Sequence, residues 1–156
     1  MKEFENAKWI CCPAEGADAG EGVLTGRLAS GEVVATVCNP PDRNGLVPLF
    51  RRSFRLTEKP TEAILSVTAA GLYRLFVNGV SVNYSLFDPG WTDYPNRLQY
   101  QSYRIEGLLK DNNTLELLAA GGWACAGLLG AGTHFFSDRI AVLAGLTLRY
   151  ADGREE

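Results

Sequence analysis

Asp88 and Asp93 bracket the segment Asp88-Pro89-Gly90-Trp91-Thr92-Asp93-Tyr94, the part of the chain richest in residue types that could do chemistry. Paired carboxylates are the machinery of glycoside hydrolysis, in which an acid protonates the leaving oxygen while the second group activates water or attacks the sugar. Carboxylates also organise turns by accepting backbone N–H groups. Trp91 and Tyr94 offer ring faces on which a ligand could stack, yet buried rings more commonly complete a core. By residue type alone, the segment is a sugar platform, a docking surface or a packed connection between strands. In the first two, Asp93 offers two acceptors. In the last, Asp93 holds backbone N–H groups and Trp91 plugs the end of the fold.

Other candidates are sparser. Trp123 follows Gly121-Gly122 and precedes the glycine-rich run Gly127 to Gly132. That run lacks the strand-loop-helix context and the lysine of a phosphate-binding loop, so a flexible loop is expected. His134 is the single histidine, and no Cys/His cluster with metal-ligand spacing accompanies it. Cys11, Cys12, Cys38 and Cys125 form neither a CxxC pair nor a regular framework, which predicts reduced thiols. Asn83-Tyr84-Ser85 and Asn112-Asn113-Thr114 match the glycosylation pattern, which is short enough to arise by chance. No metal site and no cofactor are expected.

The scaffold that must position these residues reads as β-structure. The chain has 156 residues, 46% of them hydrophobic and 21% charged, enough for one domain with its own core. Seventeen glycines and seven prolines favour many turns. Residues 1–47 read as a strand-poor segment with a long loop and a short strand at Glu32–Val37. From residue 48 the pattern alternates, in Leu49–Leu56, Ala63–Ala70, Leu72–Val77, Arg97–Ile105, Thr114–Ala120 and Arg139–Tyr150. Asn78-Gly79 is a strong hairpin signal, because both residues tolerate the positive φ of a type I′ turn. Glu106–Lys110 could supply one helical turn. The expectation is an all-β antiparallel sandwich with Phe54, Leu65, Val67, Leu75, Val77, Leu117, Val142, Leu146 and Leu148 inward.

Charge narrows the partners. The net charge is −3, from 15 basic and 18 acidic residues, with no basic stripe, so nucleic acid is not expected. No apolar run is long enough for a membrane span, and the start lacks the apolar core of a signal peptide. A cytoplasmic location is expected, unless a leader has been removed ahead of the first residue.

Several motifs then occur in a recognisable order. They are Ala7-Lys8-Trp9-Ile10, Phe50-Arg51-Arg52-Ser53-Phe54, Gly71-Leu72-Tyr73, Asn78-Gly79 and Pro89-Gly90-Trp91-Thr92-Asp93-Tyr94. Tyr100-Gln101-Ser102-Tyr103, Gly121-Gly122-Trp123 and Tyr150-Ala151-Asp152-Gly153 follow. From about residue 48 onward this resembles the N-terminal domain of bacterial α-L-rhamnosidases. Two departures stand out: the segment from Cys11 to Val47 is longer and less regular, and Ala124 stands where many relatives carry an aromatic residue.

The resemblance implies a jelly-roll-like, galactose-binding-like sandwich at residues 48–156. It also implies a parent enzyme that removes terminal α-L-rhamnose with inversion. In that family both catalytic carboxylates lie in a later barrel of paired helices, which is expected to be absent from this chain. The chain is thus expected to be a non-catalytic accessory domain. Its partners would be the rest of the parent glycosidase, with rhamnose-containing glycans or a second copy of the chain as alternatives. An autonomous carbohydrate-binding module and a structural or self-association domain remain the competing functions. Trp91, Asp93, Tyr94 and Trp123 are the candidate carbohydrate-binding or interdomain residues.

Overall fold

The structure, a computed structural model, describes residues 4–11, 22–23, 26–27, 33–34, 36–38, 47–125, 136–137 and 139–156. The strands are β1 (Ile10–Cys11), β2 (Gly22–Val23), β3 (Gly26–Arg27), β4 (Val33–Val34), β5 (Thr36–Cys38) and β6 (Leu49–Arg55). They continue with β7 (Glu62–Ala70), β8 (Leu72–Val77), β9 (Val80–Ser81), β10 (Gln101–Arg104), β11 (Asn112–Ala120) and β12 (Ala141–Arg149). A first sheet runs β1-β12-β7-β10 and a second runs β2-β5-β6-β11-β8-β9, while β3 and β4 pair separately. Every ladder is antiparallel. Strands from the first 47 residues therefore extend both main sheets.

The two sheets share one core. Alternate residues of β7 and β12 (Ala63, Leu65, Val67, Ala69, Val142, Leu148) meet Phe50, Tyr73, Leu75, Val77, Leu117 and Ala119 of the second sheet. The alternation that identified the strands thus sets which face is buried. Phe54 and Leu146, also expected inward, are half-buried at the margin of the cluster. Arg52 lies between Phe50 and Phe54 on the inward face of β6 and is buried, a charged residue at a position where alternation predicts an apolar one.

The outer face of β7 is also closed. Ser66 and Thr68 are buried, and their hydroxyls meet Ser102 Oγ at 2.7 Å and the Gln99 carbonyl at 2.6 Å. Phe4 packs edge-on against Tyr100 beside β10, whereas Ile10 pairs with Val142 on β12. Residues 4–10 therefore cross this face of the first sheet.

Two expectations are corrected. The strand expected over Arg97–Ile105 pairs only over Gln101–Arg104, because the chain before it is committed to the Asp88–Tyr94 loop. The helical turn expected at Glu106–Lys110 is a reverse turn closed by Leu108 N–H to the Ile105 carbonyl at 2.9 Å. The one short helix among the described residues is α1 (Gly122–Cys125).

The connections sort to opposite ends. One end carries residues 56–61, the Asn78-Gly79 hairpin, residues 105–111 and the turn after Tyr150. The other carries Gly71, the loop 82–100, α1 and Phe136. Asn78 and Gly79 have φ of 51° and 79°, the type I′ geometry expected of that pair. The Asp88–Tyr94 loop and Trp123 lie together at the second end.

Candidate functional site

The loop is held by polar side chains from β8 and β10 and by Asn83 and Gln99 within the connection between β9 and β10. Asp88 is buried, and its Oδ2 accepts from Asn83 Nδ2 at 2.7 Å and from the Tyr103 hydroxyl at 3.2 Å. The Tyr103 and Tyr73 hydroxyls are 2.9 Å apart, and Tyr73 also reaches Gln101 Oε1 at 2.9 Å. With one proton on each phenol, Tyr103 serves Asp88 while Tyr73 divides its own between Tyr103 and Gln101. Asn83 Oδ1 accepts from Leu75 N–H at 2.7 Å, and its amide donates to the Tyr73 carbonyl at 3.3 Å. Backbone positions are clamped as well. Tyr73 N–H donates to the Asp88 carbonyl, Gln101 Nε2 to the Pro89 carbonyl and Gln99 Nε2 to the Trp91 carbonyl, each at 2.9 Å.

The network is electrostatically closed. Burial pushes the Tyr73 phenol far above its ordinary value, helped by its hydrogen bond to Tyr103. Burial likewise pushes Tyr103 up to about 12, with the Asp88 charge adding to the rise against the opposing Tyr73 hydrogen bond. Both phenols stay neutral around pH 7, and the buried carboxylate keeps its donors, as a buried charge requires.

Asp93 has a different role from Asp88. It is exposed, and its Oδ2 accepts from the Asn96 side chain at 2.7 Å, while its carbonyl takes the Asn96 and Arg97 N–H groups. The expectation that its carboxylate would hold backbone N–H groups is thus corrected: the main-chain carbonyl closes that turn. Nor does Trp91 plug the sandwich, since 47% of it is exposed.

The rings nevertheless gather. Trp91 packs on Trp123 with centroids 5.7 Å apart, and Trp123 in turn meets Phe87 at 5.5 Å. On the other side, Phe136 lies 6.5 Å from Trp91 and 5.1 Å from Tyr94. All four candidate residues are therefore at one end, and Trp91, Tyr94 and Trp123 belong to one continuous aromatic array. Tyr94 and Trp123 are half-buried. Burial, with the Cys125 thiol nearby, raises the Tyr94 phenol above its ordinary value.

Sequence reasoning missed Phe87 and Phe136 as members of the array. Phe87 adjoins the loop in sequence and could have been included. Phe136 gave no local signal, because its place depends on α1, where Phe136 N–H bonds the Ala124 carbonyl at 3.2 Å. The glycine-rich run, His134 and Cys12 lie outside the described residues. Among the described residues, no group of three or more His, Cys, Asp or Glu is placed to hold a metal, and no helix is long and apolar enough to cross a membrane.

Comparison with known proteins identifies the family and the fold. Residues 58–156 match the family described as the alpha-L-rhamnosidase N-terminal domain. The chain is 40% identical over 109 residues to an alpha-L-rhamnosidase of Streptomyces avermitilis, covering 69% of this chain and 11% of that protein. An alpha-L-rhamnosidase of Alteromonas sp. is 32% identical over 106 residues, covering 66% of this chain and 11% of the relative. The chain thus spans about a tenth of the length of the curated relatives it matches.

Solved structures give the same picture. The Streptomyces avermitilis enzyme complexed with L-rhamnose matches with a TM-score of 0.65 at 40% identity, covering 69% of this chain and 11% of that one. The Aspergillus terreus enzyme matches with a TM-score of 0.67 at 28% identity, covering 75% of this chain and 14% of that one. The sandwich fold, the sequence relatives and the family match over residues 58–156 lead to one conclusion: the chain belongs to the family of α-L-rhamnosidase N-terminal domains.

Proposed function

We propose that this chain is a non-catalytic accessory domain of an α-L-rhamnosidase, supporting the catalytic domain that removes terminal α-L-rhamnose in the parent enzyme. One observation carries the reading: the two carboxylates of the most reactive-looking loop do not form an acid–base pair. Asp88 is enclosed by Asn83 and Tyr103, and exposed Asp93 bonds Asn96. Inverting hydrolysis needs one carboxyl to deliver a proton and a second to activate water on the opposite face. Asp88 is buried with Oδ2 held by both Asn83 and Tyr103, and Asp93 lies exposed on its own turn, so the two do not flank a common site.

The test is an aryl α-L-rhamnoside assay on the purified chain and on the parent enzyme. The parent should turn over, and the chain alone should stay at background. Activity in the chain that survives repurification and vanishes in Asp93→Asn would defeat the proposal. A carbohydrate-binding module is the second reading, favoured by the exposed Trp91 ring beside Asp93. Titration of the chain with L-rhamnose and with rhamnosylated glycans measures it directly.

A further inference from the structure

The aromatic end has the chemistry of a protein interface more than that of a sugar site. Phe87 is 56% exposed, and Leu86 and Tyr84 beside it are 72% and 88% exposed. Between Val82 and Thr92 the sequence carries one charged residue, Asp88, and that residue is turned inward and buried. Aromatic enrichment with charge depletion is the signature of an interface centre. A saccharide site, by contrast, needs several polar groups converging on the ligand. Here the rings wedge one another, with Trp91 at 63° to Trp123 and 82° to Phe136, and they present no single flat platform.

The surface is also built before anything binds. The Pro89 and Trp91 carbonyls are clamped by Gln101 and Gln99, and Asp88 is locked by Asn83 and Tyr103. A preorganised surface loses little conformational freedom on docking. Contiguous exposed apolar surface on a soluble domain usually marks an interaction site.

We propose that Phe87, Trp91 and Trp123, with Leu86 at their rim, form the surface onto which the remainder of the parent polypeptide docks. The occupant is argued from length: this chain matches 11% of its Streptomyces avermitilis relative, so most of such an enzyme is available to cover an apolar face. Naming the occupant rests on the proposed rhamnosidase reading. The surface itself does not.

Radical footprinting read by mass spectrometry tests the assignment, comparing the 156-residue chain with the intact parent enzyme. Phe87 and Trp91 should label readily in the chain and several-fold less in the parent. Val80, exposed beside the hairpin at the opposite end, should label alike in both and serves as the reference. In the parent, the double variant Phe87→Ser/Trp91→Ser should restore labelling at Leu86 while the chain's near-ultraviolet spectrum stays ordered.

Three results would overturn the proposal. Equal labelling of Phe87 and Trp91 in both proteins would leave the surface uncovered. Protection that grows with concentration of the chain alone would assign the surface to a second copy. Protection that appears only with L-rhamnose would assign it to a saccharide. A parent enzyme that shows the protection yet fails to hydrolyse aryl α-L-rhamnosides would break the functional reading and leave the docking surface in place.

Discussion

The two ends of this sandwich solve the same problem by different means. At the hairpin end the chain reverses quickly, and its short turns brace one another. Asn78 takes positive φ, donates to the Leu108 carbonyl and Asn113 Oδ1, and accepts from Thr114 N–H. Asn113 closes its own turn on Lys110. A set of salt bridges surrounds this end, joining Glu62 to Arg149 and Arg104, and Arg154 to Glu58 and Asp152. At the aromatic end the chain makes long excursions, and side chains from β8 and β10 hold the loop in place. Short turns leave a charged, hydrated end; a long loop tied from beneath can afford to display apolar rings. The contrast places the exposed aromatic chemistry at the end whose backbone is supported from inside the fold.

The sharpest way to break the comparison is at Gly71, where β7 passes into β8 at the aromatic end. Its φ is +142°, and a Cβ there would lie 2.3 Å from the Ala120 carbonyl oxygen, a backbone atom that cannot swing away. Gly71→Ala should lose about 4 kcal/mol in urea unfolding, from left-handed strain and the clash together. A cost similar to that of Gly79→Ala would remove the distinction, because a Cβ at Gly79 meets nothing within 4 Å.

Next in size are the two structural asparagines. Asn83→Ala strands the Leu75 N–H and takes a donor from buried Asp88, so a loss of about 3 kcal/mol is expected. Asn78→Gly keeps the φ that the turn requires and loses only side-chain bonds, at about 1 kcal/mol. Chemical denaturation of both variants ranks the ends. The reverse order would mean that the hairpin carries the greater load.

Alkaline pH sharpens the comparison further, since the coupled phenols belong to the aromatic end. Tyr73 and Tyr103 are neutral in the fold with raised values, whereas in the unfolded chain they lose protons above about 10. Protonated phenols therefore favour the fold fully below about pH 10, and stability should fall from there as pH rises toward about 12, where Tyr103 ionises in place. Tyr103→Phe should flatten that decline in a thermal melt series. The smallest effect is expected from Trp91→Ser in the isolated chain, within about 0.5 kcal/mol, as for an exposed position. A large loss would recast Trp91 as core.

The sequence was most legible where structure is local. Alternation identified the inward faces of β7, β8 and β12, and Asn78-Gly79 announced its hairpin. It was less legible where one face of a strand is covered by distant chain. Ser66 and Thr68 look solvent-facing by pattern, yet they are buried where residues 4–10 cross the sheet. The site was legible in part for the same reason. Trp91, Tyr94 and Trp123 could be named from their loops. Which of Asp88 and Asp93 turns inward depends on Asn83 and Tyr103, residues on either side of the loop whose meeting is a tertiary event.

Asn83 has a consequence for producing this protein. It sits in Asn83-Tyr84-Ser85, a sequence that the oligosaccharyl transferase of a eukaryotic secretory pathway can accept. In the fold, 2% of Asn83 is exposed and its amide nitrogen donates to Asp88. A glycan attached to the nascent chain would occupy that nitrogen and could not fit beneath the loop. Secretion from yeast or animal cells would thus yield glycosylated polypeptide unable to close its aromatic end, whereas a host without that enzyme leaves the amide free to fold.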